Sequence, residues 1–212
     1  MYHTPTHPPR RLVLTGGPGA GKSVIARHVA AAHPDVFVLV PESATHVYTT
    51  LNVRWHQLDL DGRRDVQRRM YFHQLEQEAR LQADHPDRVL LLDRGTIDGA
   101  AYWPDGPAAF WPDVGTTRPA ELARYDAVIW MQTGAALGLY DGDASNSVRF
   151  ERPAEAVESG NTLVTLWGDH PRLHRVAAYP RFEDKVAVVE RMLLELAAEG
   201  GPEPGAGFAA TG

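Results

Sequence analysis

The chain has 212 residues, enough for one sizeable hydrophobic core and short for two, so a single folded unit is expected. Its formal net charge of -6, from 21 basic and 27 acidic residues, offers no field for a polyanion and argues against nucleic acid as a partner. Cysteine is absent, which excludes disulfides, thiolate zinc sites and sulfur redox chemistry. Neither a signal-peptide core near the start nor an apolar run of roughly 18 residues is visible, so no membrane span and a cytoplasmic location are expected.

Residues 1–9, rich in His, Pro and Thr, and 200–212, rich in Gly, Pro and Ala, have little to bury and read as flexible tails around a folded 10–199. Apolar runs of strand character recur at 12–15, 36–40, 89–93 and 127–132, with a weaker fifth at 174–177. Helical patterns lie between them. The first, Lys22–Ala32, follows a glycine-rich loop directly, and the next, 63–83, is long and charged, with Val66, Met70, Leu75 and Leu81 on its apolar side. Further helices are predicted at 97–103, 120–124, 154–167 and 183–198, and another beginning near Ser43. Strands alternating with helices predict an α/β fold with a parallel sheet covered on both faces, because each parallel crossover needs an element long enough to return. The Pro-, Gly- and Trp-rich stretch 103–118 reads as an irregular insertion beside an acceptor site, and the polar 140–152 as a mobile flap.

Gly16-Gly17-Pro18-Gly19-Ala20-Gly21-Lys22-Ser23 fits the pattern G-x-x-x-x-G-K-[ST], between the strand residues Leu12-Val13-Leu14 and a helix that continues through Val24. Glycines let successive N–H groups point into one concavity, the helix N-terminus adds a favourable dipole, Lys22 brings charge to the outer phosphates, and the Ser23 hydroxyl is a magnesium ligand. Only Lys22 and Lys185 among the 21 basic residues are lysines, which makes the lysine of this loop conspicuous.

Val89-Leu90-Leu91-Leu92-Asp93 is an apolar strand ending in an acid, suited to hold magnesium beside the loop. NTPases that drive motion commonly put a Glu after this Asp to polarise water; here the neighbour is Arg94, which favours transfer to an organic acceptor over hydrolysis. Glu42, after the second strand, sits where a doubly wound sheet presents side chains to its ligand crevice and suits a base for an acceptor hydroxyl; the alternative is a helix cap. Asp98 and Tyr102, four apart on the helix after Arg94, share a face and are candidate acceptor contacts. Arg149 and Arg152 are candidates to close over the triphosphate and neutralise the transferred group, with a solvated salt-bridge cluster as the alternative. Gln67, Gln74, Gln77 and Glu78 on the long helix are weaker acceptor candidates, since a polar helix surface is ordinarily wet.

Taken together, LVLTGGPGAGKS, VPES, the Gln/Glu helix, LLLDRGTIDGAAY, RYDAVIWMQ and VRFE resemble the NadR-like AAA-type P-loop family, relatives of nucleoside and nucleotide kinases. The resemblance implies a three-layer α/β/α sandwich with a five-stranded sheet in the order 2-3-1-4-5, and ATP with Mg²⁺ as the bound species. By similarity to deoxynucleoside kinases it makes Glu42 the base and brings Arg94 to the reacting phosphate. The segment 101–119 departs from nucleotide-kinase patterns, so the acceptor is not carried over. The function expected is ATP-dependent phosphoryl transfer to a small molecule such as a nucleoside; the alternative is a regulatory ATP- or GTP-binding switch. A motor ATPase is disfavoured by the missing Glu after Asp93.

Overall fold

The computed structural model describes residues 10–139 and 153–199. The strands are β1 (Arg11–Thr15), β2 (Phe37–Val40), β3 (Val89–Asp93), β4 (Ala127–Met131) and β5 (Leu173–Val176), and they form a parallel sheet in the order β2-β3-β1-β4-β5. Among the described residues seven α-helices accompany them: α1 (Lys22–Ala32), α2 (Ser43–Leu51), α3 (Leu60–Asp84), α4 (Pro107–Asp113), α5 (Arg118–Leu122), α6 (Pro153–Leu166) and α7 (Phe182–Ala198). Helices on both faces of this sheet give the covered parallel sheet that the strand and helix alternation implied, and the strand order is the P-loop NTPase one that the resemblance implied.

The inner strands are covered on both faces because residues 12–14, 89–92 and 127–131 are apolar throughout, and the two-residue period sends alternate side chains to opposite layers. Leu12, Leu14, Leu91 and Ile129 pack with Ile25 and Val29 of α1 and Val189 and Leu193 of α7. Val13, Leu90, Leu92 and Val128 face the other way, onto Tyr71, Phe110, Tyr125 and Trp167. A smaller cluster of Ala44, Val47, Tyr48, Val66 and Met70 joins α2 to α3.

Three segments differ from expectation. Residues 103–118, read as irregular, contain α4, with Gly106 before it, Pro107 opening it and Phe110 fully buried. Proline at the first helical position lacks only an N–H that would have no helical partner there, so it starts a helix as readily as it breaks one. The segment after β3 is a 3-10 helix, Thr96–Tyr102, and α3 begins at Leu60, where the Asp59 side chain accepts from the Gly62 N–H at 2.8 Å. Residues 140–152, which hold the expected flap, lie outside the described residues. Among the described residues no helix is long and apolar enough to cross a membrane.

Register delivers the chemistry to one edge. Leu14 pairs with Asp93 and Val40 with Leu92, so the loop after β1, the acid ending β3 and the residues just past β2 all emerge at the carboxyl edge of the sheet.

Candidate active site

The loop after β1 turns only because glycine occupies its positive-φ positions: Gly16 at 139°, Gly19 at 69° and Gly21 at 88°. A side chain at Gly16 would also lie 2.2 Å from the Met131 carbonyl oxygen. Three successive carbonyls of the loop are taken by donors from outside it. The Thr133 hydroxyl donates to Pro18 at 2.6 Å, the Gly134 N–H to Gly19 at 3.4 Å, and Lys185 Nζ to Ala20 at 2.8 Å. In a trans peptide the following N–H points opposite to the carbonyl, so those of Gly19 and Gly21 are turned away from these donors. Lys22 and half-buried Ser23 open α1, and Val24 beyond them is exposed.

Lys22 Nζ donates to the carbonyls of Gly16 and Gly17 at 2.9 and 3.0 Å. Burial, with the charge of Arg94, lowers its pKa to about 7, while Asp93, Glu42 and Asp98 pull the other way. All four of those charged groups therefore lie near enough to act on the loop lysine.

Asp93 is buried, and its Oδ1 has no hydrogen-bond partner among the described residues. Burial and the charge of Glu42 push its carboxyl up, against Lys22, the Ser23 hydroxyl and Arg94, which favour the anion. One carboxylate and one hydroxyl, side by side, are the donor set by which Mg²⁺ is commonly bound alongside phosphate oxygens and water, so the residues present fit that ion.

Arg94 follows with φ of 85°, a backbone conformation that a side-chain-bearing residue rarely adopts. Its Nε donates to Glu42 at 2.6 Å and its Nη1 to Asp98 at 3.0 Å, and the guanidinium lies 5.8 Å from the centre of the Tyr102 ring. Glu42 occupies the residue before α2 but makes no capping bond with its side chain, so the carboxylate is directed to Arg94 and the helix-cap alternative is set aside. Asp98 also accepts from Thr15 Oγ1 on both oxygens, at 2.8 and 2.9 Å, and from Trp167 Nε1 at 2.8 Å. With all these donors its first task is to hold Arg94.

Glu42, Arg94, Asp98 and Tyr102 line one pocket, closed by Gln67 and Tyr71 of α3 and holding about 410 Å³ of space, part of it open to solvent. A family model described as an AAA domain matches residues 11–184. The chain belongs to the AAA domain family. No curated protein matches it.

The AAA domain thus brings Gly16 to Ser23, Asp93, Arg94 and Glu42 to one edge, with Asp98 and Tyr102 in the adjoining pocket. Arg149 and Arg152 lie outside the described residues. Four residues at the site carry no signal in the glycine motif. Thr133 and Lys185 hold the loop from behind, and Thr15 steadies Asp98. Phe182 packs so closely on Gly21 that a side chain there would meet its ring at 2.4 Å. Only Lys185 was marked in the sequence at all, as the second of two lysines. The polar face of α3 is not wet as its composition suggests. Gln67, Gln74, Gln77 and Glu78 are all buried, the last three with partners, among them Ser43, Arg94 and Arg124, that come from distant segments.

Proposed function

We propose that this AAA domain protein is an ATP-dependent phosphotransferase that acts on a small hydroxyl-bearing molecule. The observation that carries the reading is Arg94, next in sequence to Asp93 and clamped between Glu42 and Asp98 in the wall of a pocket whose charges reach Lys22. An arginine at this point neutralises a phosphoryl group in transit, and a water-activating glutamate after Asp93 is absent. The resemblance to NadR-like proteins and nucleoside kinases supports the same reading.

In this reading the N–H groups of the loop and Lys22 hold the β- and γ-phosphates, with Ser23 and Asp93 binding Mg²⁺, which supplies charge neutralisation at the phosphate oxygens. Glu42 accepts the proton of the acceptor hydroxyl. That oxygen bonds to the γ-phosphorus as the bond to the β-phosphate oxygen breaks, giving ADP and a phosphorylated acceptor. Arg94 stabilises the charge spread over the transferred group, an effect worth about 3 kcal/mol in comparable sites. Arg149 and Arg152 are further cations for the triphosphate.

The test is to incubate the protein with labelled ATP, magnesium and a panel of nucleosides, nucleotides and vitamin-like alcohols, and to follow label into an acceptor. Transfer is expected, and Lys22→Ala should abolish it. ATP binding without acceptor-dependent ADP across the panel would leave a nucleotide-binding switch and remove the kinase.

A further inference from the structure

Arg94 is gripped from two sides, by Glu42 and by Asp98. Asp98 holds its side from a short 3-10 helix, Thr96–Tyr102, a turn whose own hydrogen bonds are too poor to fix a side chain. The direction of the carboxylate is set by what donates to it. Oδ2 takes Arg94 Nη1 at 3.0 Å, Oδ1 takes Trp167 Nε1 at 2.8 Å, and the Thr15 hydroxyl reaches both oxygens, at 2.8 and 2.9 Å. A hydroxyl has one proton to give, so Thr15 cannot hold the two oxygens at once. Of the two donors facing Oδ1, the indole N–H is the one that bonds this oxygen alone, and it leaves Oδ2 for the arginine.

Trp167 is well placed to hold something still. It is fully buried directly after α6, and its ring meets that of Tyr125 edge to face with centroids 5.4 Å apart. A Cβ on Gly95 would come within 2.8 Å of the indole, which therefore also lies against the residue after Arg94. The other end of α6 abuts the phosphate loop: a Cβ on Gly17 would lie 2.2 Å from the Ala156 carbonyl oxygen. Between the two ends, Trp130 of β4 donates to the Gly160 carbonyl at 2.9 Å. From Ala156 to Trp167 is about 16 Å along a helix axis. One rigid element thus meets the phosphate loop with its first turn and the clamp of Arg94 with its end.

We infer that Trp167 is a positioning residue for phosphoryl transfer: through the Asp98 carboxylate, its Nε1–H holds the Arg94 guanidinium where it meets the transferred group, in register with the loop that α6 also braces. This role rests on the phosphotransferase reading and deepens it. Without the indole N–H, Asp98 is free to turn about its last bond and Arg94 to pivot on Glu42. The loop and Lys22 still bind the nucleotide, but the charge of the group in transit is met out of place, and a shift of about 1 Å is worth about 100-fold in rate.

Trp167→Phe removes the N–H and keeps an aromatic ring beside Tyr125. Thr15→Val removes the other donor to Oδ1 and serves alone if the first variant melts early. The full chain is titrated by calorimetry with ADP and magnesium, with and without aluminium fluoride, which mimics the phosphoryl group in transit. Fluoride should tighten ADP binding to the unaltered protein at least about 100-fold, and each variant should lose about 10-fold or more of that gain while binding ADP alone as before. In an Arg94→Ala background neither substitution should weaken the mimic further, a result that lost packing alone does not give. Variants that keep the whole gain, an equal loss for ADP alone, losses that persist without Arg94, or no fluoride effect in the unaltered protein would each overturn the positioning role. Label transfer from ATP to the acceptor panel separates the two readings. Mimic binding that depends on Trp167 and Arg94, with no transfer to any acceptor, upholds the positioning role with water as the acceptor and removes the small-molecule kinase. Transfer with kcat and KM unchanged in Trp167→Phe does the reverse.

Discussion

Arg94 has a φ of 85°, which costs a residue with a side chain about 1–2 kcal/mol relative to ordinary backbone. Its surroundings hold it there. The Arg94 N–H donates to the Leu14 carbonyl at 3.1 Å, its own carbonyl accepts from Gln74 at 3.3 Å, and the guanidinium joins Glu42 to Asp98. Glycine would relieve the backbone strain, but it would leave two neighbouring carboxylates without the cation between them. Removing one partner of a buried ion pair costs about 3–5 kcal/mol, so the second effect wins. Arg94→Gly should lower stability by about 2–3 kcal/mol in urea unfolding, and the transfer rate should fall at least about 100-fold. A variant more stable than the parent would show that the carboxylates do not need the arginine. Arg94 and Glu42 were legible because each directly follows an apolar strand, within one or two residues of its end. Gln67 was hard to distinguish from the other glutamines of its helix, since what marks it is a buried Nε2 with no hydrogen-bond partner among the described residues.

At the scale of elements, the phosphate loop depends on how closely α6 approaches it. A Cβ on Gly17 would lie 2.2 Å from the Ala156 carbonyl oxygen, a backbone atom of α6 that can move only with its helix. Gly115 also has positive φ, 75°, but nothing lies within 4 Å of its missing side chain. The two glycines separate steric from conformational cost. Gly115→Ala should lose about 1 kcal/mol of stability and keep its affinity for a fluorescent ATP analogue. Gly17→Ala should weaken that affinity at least about 10-fold while the far-UV circular dichroism stays native, and unchanged binding would show that α6 yields freely. The glycine pattern identified the loop, yet it held no trace of α6 as its neighbour. The first four strands were read to within a residue or two because burial on both faces leaves a nearly unbroken apolar run, a signal that the edge strand β5 carries only weakly. The helix inside 103–118 was not, since its prolines resemble breaks until their positions in the helix, first and next to last, are known.

Across the whole molecule, Lys185 ties the last described helix to the loop after the first strand. Its Nζ reaches the carbonyls of Ala20 at 2.8 Å and Gln132 at 2.7 Å, and burial lowers its pKa from 10.5 to about 8. Below about pH 8 the lysine is charged in folded and unfolded chains alike, and the cost of burying that charge stands in full. Between about pH 8 and the ordinary lysine value the unfolded chain still binds a proton that the folded chain has released, so the folded state gains on unfolding as pH rises. Tyrosines act in the opposite sense at the top of this window. Burial raises Tyr71 to about 12 and Tyr125 higher still, so from about pH 10 upward the unfolded chain loses protons that the folded chain keeps. Subtracting the same curve measured for Lys185→Met cancels them. The stability of the natural protein relative to Lys185→Met should then rise by about 2 kcal/mol from about pH 7 to about pH 9.5, read by urea unfolding at each pH. A difference that stays flat would mean that the two carbonyls keep the ammonium charged throughout. In that case Lys185 holds the loop as a buried cation, and the burial cost is met by its two hydrogen bonds.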